Sequence, residues 1–246
     1  MSKTNRLTKA LCASSVLALW PVAGLWAQDA AAGKAALQAK VAELKQSLAA
    51  NQKALQAYTW LETTEISLKG EVKKTEKKEC RYGADGKVIK TALPGAAPAP
   101  PPPSGGRRKG AVKQKVVANK VEDLKEYMGD VAALVKQYVP PDPAKIQASA
   151  QAGKVSLNKE SAPGIAELAI ADYVLPGDKL SISFQSAAKQ LAGVNVNSYL
   201  GKDKDTVTLA VRYAALADGV NYPAETVLVA KAKQIQVKIT NNGHRK

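Results

Sequence analysis

The chain reads as an α+β protein: a curved antiparallel sheet, an incomplete β-barrel, covered by two long amphipathic helices. Three observations predict this. Apolar residues recur at alternating steps of four and three in two separate stretches. Short runs elsewhere alternate apolar with polar residues. Asp-Gly, Pro-Gly and charged tetrapeptides punctuate those runs. The first pattern is that of a helix with one apolar stripe, the second that of half-buried strands joined by turns.

The first stripe is Leu37, Val41, Leu44, Leu48, Asn51, Leu55 and Tyr58. Ala, Gln, Lys and Glu fill the other faces, and all favour helix. A helix from about Asp29 to Ala57 follows. Such a stripe can seed a coiled coil, but packing on the chain's own core is the plainer reading. The second stripe is Val117, Val121, Leu124, Met128, Val131, Val135 and Tyr138. It predicts a helix from about Val112 to Tyr138, stopped by Pro140, Pro141 and Pro143. A short helical piece, AKIQASAQ, comes next.

At Tyr58 the period changes. TWLETTEISLK is rich in Thr, aromatic and β-branched residues, which suit a strand. Gly70-Glu71 turns the chain. VKKTEKKECRY is polar on both faces and reads as a solvated or edge strand, its lysines discouraging pairing with other chains. Asp85-Gly86 is a hairpin turn, and Val88 to Leu93 returns. Gly153 to Pro163 reads as strand and loop. Six strand candidates follow: Ala166–Leu175, Lys179–Phe184, Val194–Leu200, Thr206–Ala214, Ala224–Ala230 and Lys233–Thr240. Leu180, Ile182 and Phe184 share one face, as do Val207, Leu209, Val211 and Tyr213, and Ile235, Val237 and Ile239. One face of the sheet is therefore apolar and the other wet.

The first 27 residues look like a cleavable signal peptide. Lys3, Arg6 and Lys9 form a positive start, Ala10 to Leu25 is apolar, and the cut falls after Ala27. The apolar run is shorter than the roughly 20 residues of a bilayer span, and Pro21 breaks it. Residues 28–246 then form one domain in the periplasm, without a transmembrane anchor. It carries a Pro/Gly/Arg-rich insert at about 94–110, too long for an ordinary connection. Arg107, Arg108 and Lys109 at its end are candidates for contact with a polyanion. The net charge is +15, or +12 once the three basic residues of the signal are removed. Outside the cytoplasm that charge points to an anionic envelope surface rather than to nucleic acid. Aromatic residues make up 5% of the chain, too few for a platform on which bases stack.

No catalytic set stands out. The single histidine, His244, lies three residues from the end, in what reads as a frayed tail. Cys80 has no other histidine to activate it and reads as a small half-buried residue. No phosphate-binding glycine loop, calcium loop or metal-ligand cluster is present in the sequence. The expectation is a non-enzyme without a cofactor. A hydrolase built on an unrecognised pair of carboxylates stays open, because spacing in three dimensions is not readable from sequence.

Three stretches carry a resemblance. They are YTWLETTEISLKGEV from Tyr58, RYGADGKV from Arg81, and KDTVTLAVRYAALADGVNYPAETVLVAKAKQIQV from Lys204. Together they cover under half the chain and look like a group of exported bacterial proteins. The order of elements resembles the LolA/LolB-like periplasmic lipoprotein-carrier superfamily. That resemblance implies a part-barrel sheltering an acyl chain. The residues themselves allow two outcomes: helices packed loosely on the sheet leave an apolar cavity lined by Trp60, Ile66, Leu68, Phe184, Leu209, Val211 and Tyr213, and helices packed tightly make the same residues a solid core. The expected function is an exported binding or carrier protein for a lipid or lipoprotein acyl chain. The alternative is a non-enzymatic structural or interaction module of the envelope.

Overall fold

Ten runs of alternating or β-branched residues pair into one antiparallel sheet in the computed structural model, which describes residues 38–39, 41–43, 45–93, 110–201 and 205–246. The strands are β1 (Thr59–Leu68), β2 (Glu71–Tyr82), β3 (Val88–Ala92), β4 (Val155–Ala162), β5 (Ile165–Ala171), β6 (Lys179–Gln185), β7 (Gln190–Leu200), β8 (Asp205–Ala215), β9 (Asn221–Ala230) and β10 (Ile235–Arg245). Their order is β3-β2-β1-β10-β9-β8-β7-β6-β5-β4. Helical residues within 38–55 form α1, followed by α2 (Gly110–Val135) and α3 (Pro143–Gln151). These residues belong to one unit, Leu37–Lys246. The expected signal peptide, most of the expected insert, and Arg107, Arg108 and Lys109 lie outside the described residues.

Local chemistry sets the joints. Lys69 and Gly70 both have positive φ, 54° and 81°, the geometry of a two-residue hairpin loop whose twist matches its strands. Asp142 caps α3: its Oδ1 accepts from the Ala144 N–H at 2.8 Å, and Pro143 sits in the first turn, where its missing donor costs nothing. Asn51, the polar member of the first stripe, bonds the start of β9 twice. Its Nδ2 donates to the Asn221 carbonyl at 2.5 Å, and its Oδ1 accepts from the Asn221 N–H at 2.7 Å.

Strand register carries the apolar alternation across the sheet. Directly opposed residues share a face. One row runs Val155, Ile170, Leu180, Val196, Leu209, Leu228, Val237, Ile66 and ends at Lys74, crossing nine strands. This is the inner face. Under the helices it is closely packed: Leu168, Ile170, Leu180, Ile182 and Val194 are fully buried. Val131 of α2, Tyr138 just beyond it and Ile146 of α3 complete that core.

The predicted fold class needs correction. The body of the protein is a single open sheet of ten strands with edges at β3 and β4, not a part-barrel covered by two long helices. The reason is one of dimensions. Strands lie about 4.8 Å apart, so ten span roughly 43 Å, whereas a helix is about 10 Å across. Two helices running along such strands cover about four. β1 also pairs with β10, which places β1–β3 on the far side of β10 from β7 and β4. Principal helix contacts fall on β7 for α2 and β4 for α3. Val121 of the second stripe is 47% exposed.

β10 is also longer than expected. Gly243, at φ 62°, opens a bulge opposite β1, and pairing resumes at Thr59 and Arg245. His244 is therefore part of a strand, not of a frayed tail.

Candidate ligand-binding face

The seven candidate lining residues divide into three environments. Phe184, Leu209 and Val211 are buried members of the main core. They pack other side chains under the helices. Leu68 and Tyr213 are half-buried and lie against that core. Ile66 is half-buried on the inner face, between Val237 and Lys74. Trp60, 8% exposed, belongs to a separate aromatic group at the far end of β1.

That group follows from the bulge at Gly243. The His244 ring stacks on Trp60 at 5.9 Å between centroids and lies 4.0 Å from Tyr222. Tyr82 meets Trp60 at 5.5 Å. Burial lowers the His244 pKa, so its neutral ring is favoured within the stack. Burial also pushes the Tyr213 hydroxyl up to about 12. The His244, Trp60, Tyr222 and Tyr82 rings form a packed wall.

Beside the wall a buried acid pairs with an exposed lysine. Glu62 is 6% exposed, and both of its oxygens accept from Lys90 Nζ, at 2.8 and 2.6 Å. Cys80, fully buried, sits on the same face opposite Trp60. Burial, and then the Glu62 charge, push its thiol pKa up. A raised pKa keeps the thiol protonated, which is the wrong direction for a nucleophile.

Three tyrosine–aspartate contacts tie the helical segments to turns of the sheet. Tyr58 donates to Asp218, Tyr127 to Asp205 and Tyr138 to Asp178. Asp178 is also the acceptor for three backbone N–H groups of its own loop. The sequence shows Pro176-Gly177-Asp178 as a turn, and nothing in it marks the aspartate as inward-facing. Glu62 and Lys90 were equally unmarked, because each stands in a run of charged residues.

Asp218 gives the fold a defined acid sensitivity. The hydrogen bond from Tyr58, then that from Lys246 at 3.0 Å, hold its carboxyl down at about 2. The unfolded value is about 3.9. A depressed folded value stabilises the native state above pH about 4, and that contribution disappears as pH falls towards 2. Asp218→Asn should therefore flatten the acid side of a stability–pH curve between about pH 4 and 2. Urea midpoints at several acidic pH values measure this. Parallel curves for the two proteins would refute it.

Surface clefts lie away from the inner row. One of about 380 Å³ separates α1 from α3 beside Gln38, Val41, Lys45 and Gln147. Another, about 330 Å³, lies mainly on the wet face beside Ser183, Asn195, Arg212 and Glu225. Among the described residues no cluster of three or more His, Cys, Asp or Glu could hold a metal ion. Among the same residues no helix is long and apolar enough to cross a membrane.

No family model and no curated protein matches the chain. Among solved structures it is similar to a DUF1329 family protein from Desulfovibrio piger, with a TM-score of 0.40 and 10% identity over 85% of this chain and 92% of that one. So distant a likeness assigns neither family nor activity.

Proposed function

We propose that this is an exported binding protein that carries a lipid or lipoprotein acyl chain on the half-buried part of its inner sheet face. One observation supports the reading. The apolar row continues through Leu228, Val237 and Ile66, while the principal contacts of α2 and α3 fall on β7 and β4. These three side chains are half-buried, with Ile239 of the next row beside them in the same state. Each buried methylene of a ligand is worth about 0.8 kcal/mol. Roughly ten of them return about 8 kcal/mol before ordering costs, the scale of a micromolar Kd. Chains much shorter than that would bind too weakly to be carried. The signal-like first 27 residues support the exported setting.

The packed interior under α2 and α3 favours a second reading, an envelope interaction module without a lipid ligand. Native mass spectrometry of protein taken from a periplasm separates the two. Carriage predicts co-purified lipid, uptake of a fluorescent long-chain fatty acid, and loss of that uptake in Ile66→Asp. A protein without lipid that takes up no fatty acid leaves the interaction module standing.

A further inference from the structure

At one end of the sheet the β1–β2 and β9–β10 hairpin tips lie side by side. The Lys69 N–H donates to the Gln234 carbonyl at 2.8 Å, and Leu68 opposes Ile235. This joins two basic turns that are far apart in sequence. Lys69, Lys73 and Lys74 stand on one tip, Lys231 and Lys233 on the other, and all five are exposed. The acidic groups among them are Glu71, paired with Lys73, and Glu76, which Lys74 and Lys78 share. Asp205 also lies here. It accepts from the Ala232 N–H at 2.9 Å and from the Tyr127 hydroxyl. Lys233 rests 5.9 Å from the Tyr127 ring. Among the described residues Lys69, Lys231 and Lys233 form no ion pair.

An apolar residue is placed among these charges. Val72, one position into β2, is 58% exposed, the most exposed of the large apolar side chains among the described residues. It faces outwards opposite Ser67, between Glu71 and Lys73. Lysines alone describe a solvated turn. Lysines around a projecting apolar side chain describe a surface that meets headgroups with its charges and the acyl boundary with its apolar tip.

We propose that these two hairpin tips dock the protein on an anionic lipid surface. Each uncompensated basic residue near such a surface contributes about 1 kcal/mol, and the attraction fades within a Debye length. A few such residues give weak, salt-sensitive and reversible attachment. The inference does not rest on acyl-chain carriage, since docking on a membrane is measured without any transferred ligand.

Vesicle co-sedimentation at low salt tests it, using processed protein and equal parts phosphatidylcholine and phosphatidylglycerol, with pure phosphatidylcholine as reference. The wild type should favour the anionic vesicles. Lys69→Glu with Lys231→Glu should lower that binding about ten-fold or more, and Val72→Asp should also lower it. Both sites are exposed, so unchanged melting temperatures confirm that the variants fold. Arg107→Glu with Arg108→Glu should keep most of the binding. Unchanged binding in the double lysine variant, or loss confined to the arginine variant, overturns the proposal. So does full competition by soluble polyglutamate together with an inert Val72→Asp, which would assign the patch to an acidic polypeptide.

Discussion

Asp178→Ala should cost about 4 kcal/mol of folding stability, the largest loss expected of a single polar change among the described residues. The carboxylate is 3% exposed and organises the loop between β5 and β6. Its Oδ1 accepts from the Tyr173 N–H at 2.6 Å. Its Oδ2 accepts from the Val174 and Leu175 N–H groups at 3.0 and 2.6 Å, and from the Tyr138 hydroxyl. Tyr138, fully buried at the end of the α2 segment, also lies 2.8 Å from Ser198 Oγ on β7. One side chain thus joins a loop, a helical segment and the middle of the sheet. Alanine leaves three backbone donors and a hydroxyl without their acceptor, at about 1–3 kcal/mol each where water cannot reach. Partial hydration of the loop keeps the sum near 4. Asparagine retains one acceptor oxygen and should cost about half as much. Tyr138→Phe removes a single hydroxyl and should cost about 1–2 kcal/mol. Urea unfolding followed by circular dichroism gives the three values. An Asp178→Ala protein within about 1 kcal/mol of wild type would show that the loop is held by something else.

The local periods of this chain were legible, and its long-range pairing was not. Leu180, Ile182 and Phe184 announce an inner face by alternation, and β6 carries them as expected. The stripe ending at Val131, Val135 and Tyr138 announces a helix, and α2 is there. Neither pattern states which strand neighbours which. The pairing of β1 with β10 joins residues about 180 positions apart and turns an expected part-barrel into a wide open sheet. The candidate residues show the same limit. Val211 and Ile66 look alike in sequence, each apolar with polar neighbours. One ends buried in the main core and the other half-buried, because of where their strands fall in the sheet order. His244 shows a related limit. Its place near the end of the sequence reads as a frayed tail, yet Gly243 bends the backbone so that the strand continues into the aromatic group.

That division of the inner face makes a strong contrast between two isoleucines. Ile182→Ala should cost about 3–4 kcal/mol, and Ile66→Ala about 1 kcal/mol or less. Ile182 opposes Leu168 on β5 and Val194 on β7, and all three are fully buried. Removing its branches leaves a hole that close-packed neighbours cannot fill, so a cavity cost adds to the lost transfer energy. Ile66 opposes Val237 and Lys74 and keeps part of its surface in contact with water. Water enters the space left by its missing methylenes, and little cavity cost arises. The two variants should separate again in ligand binding. Ile66→Ala should weaken fatty-acid uptake while hardly moving the melting temperature of the ligand-free protein. Ile182→Ala should lower the melting temperature and leave uptake by the folded fraction nearly intact. Equal stability losses would mean that the inner face is covered along its whole width. A ligand laid on the Leu228, Val237 and Ile66 row would then have no surface to occupy.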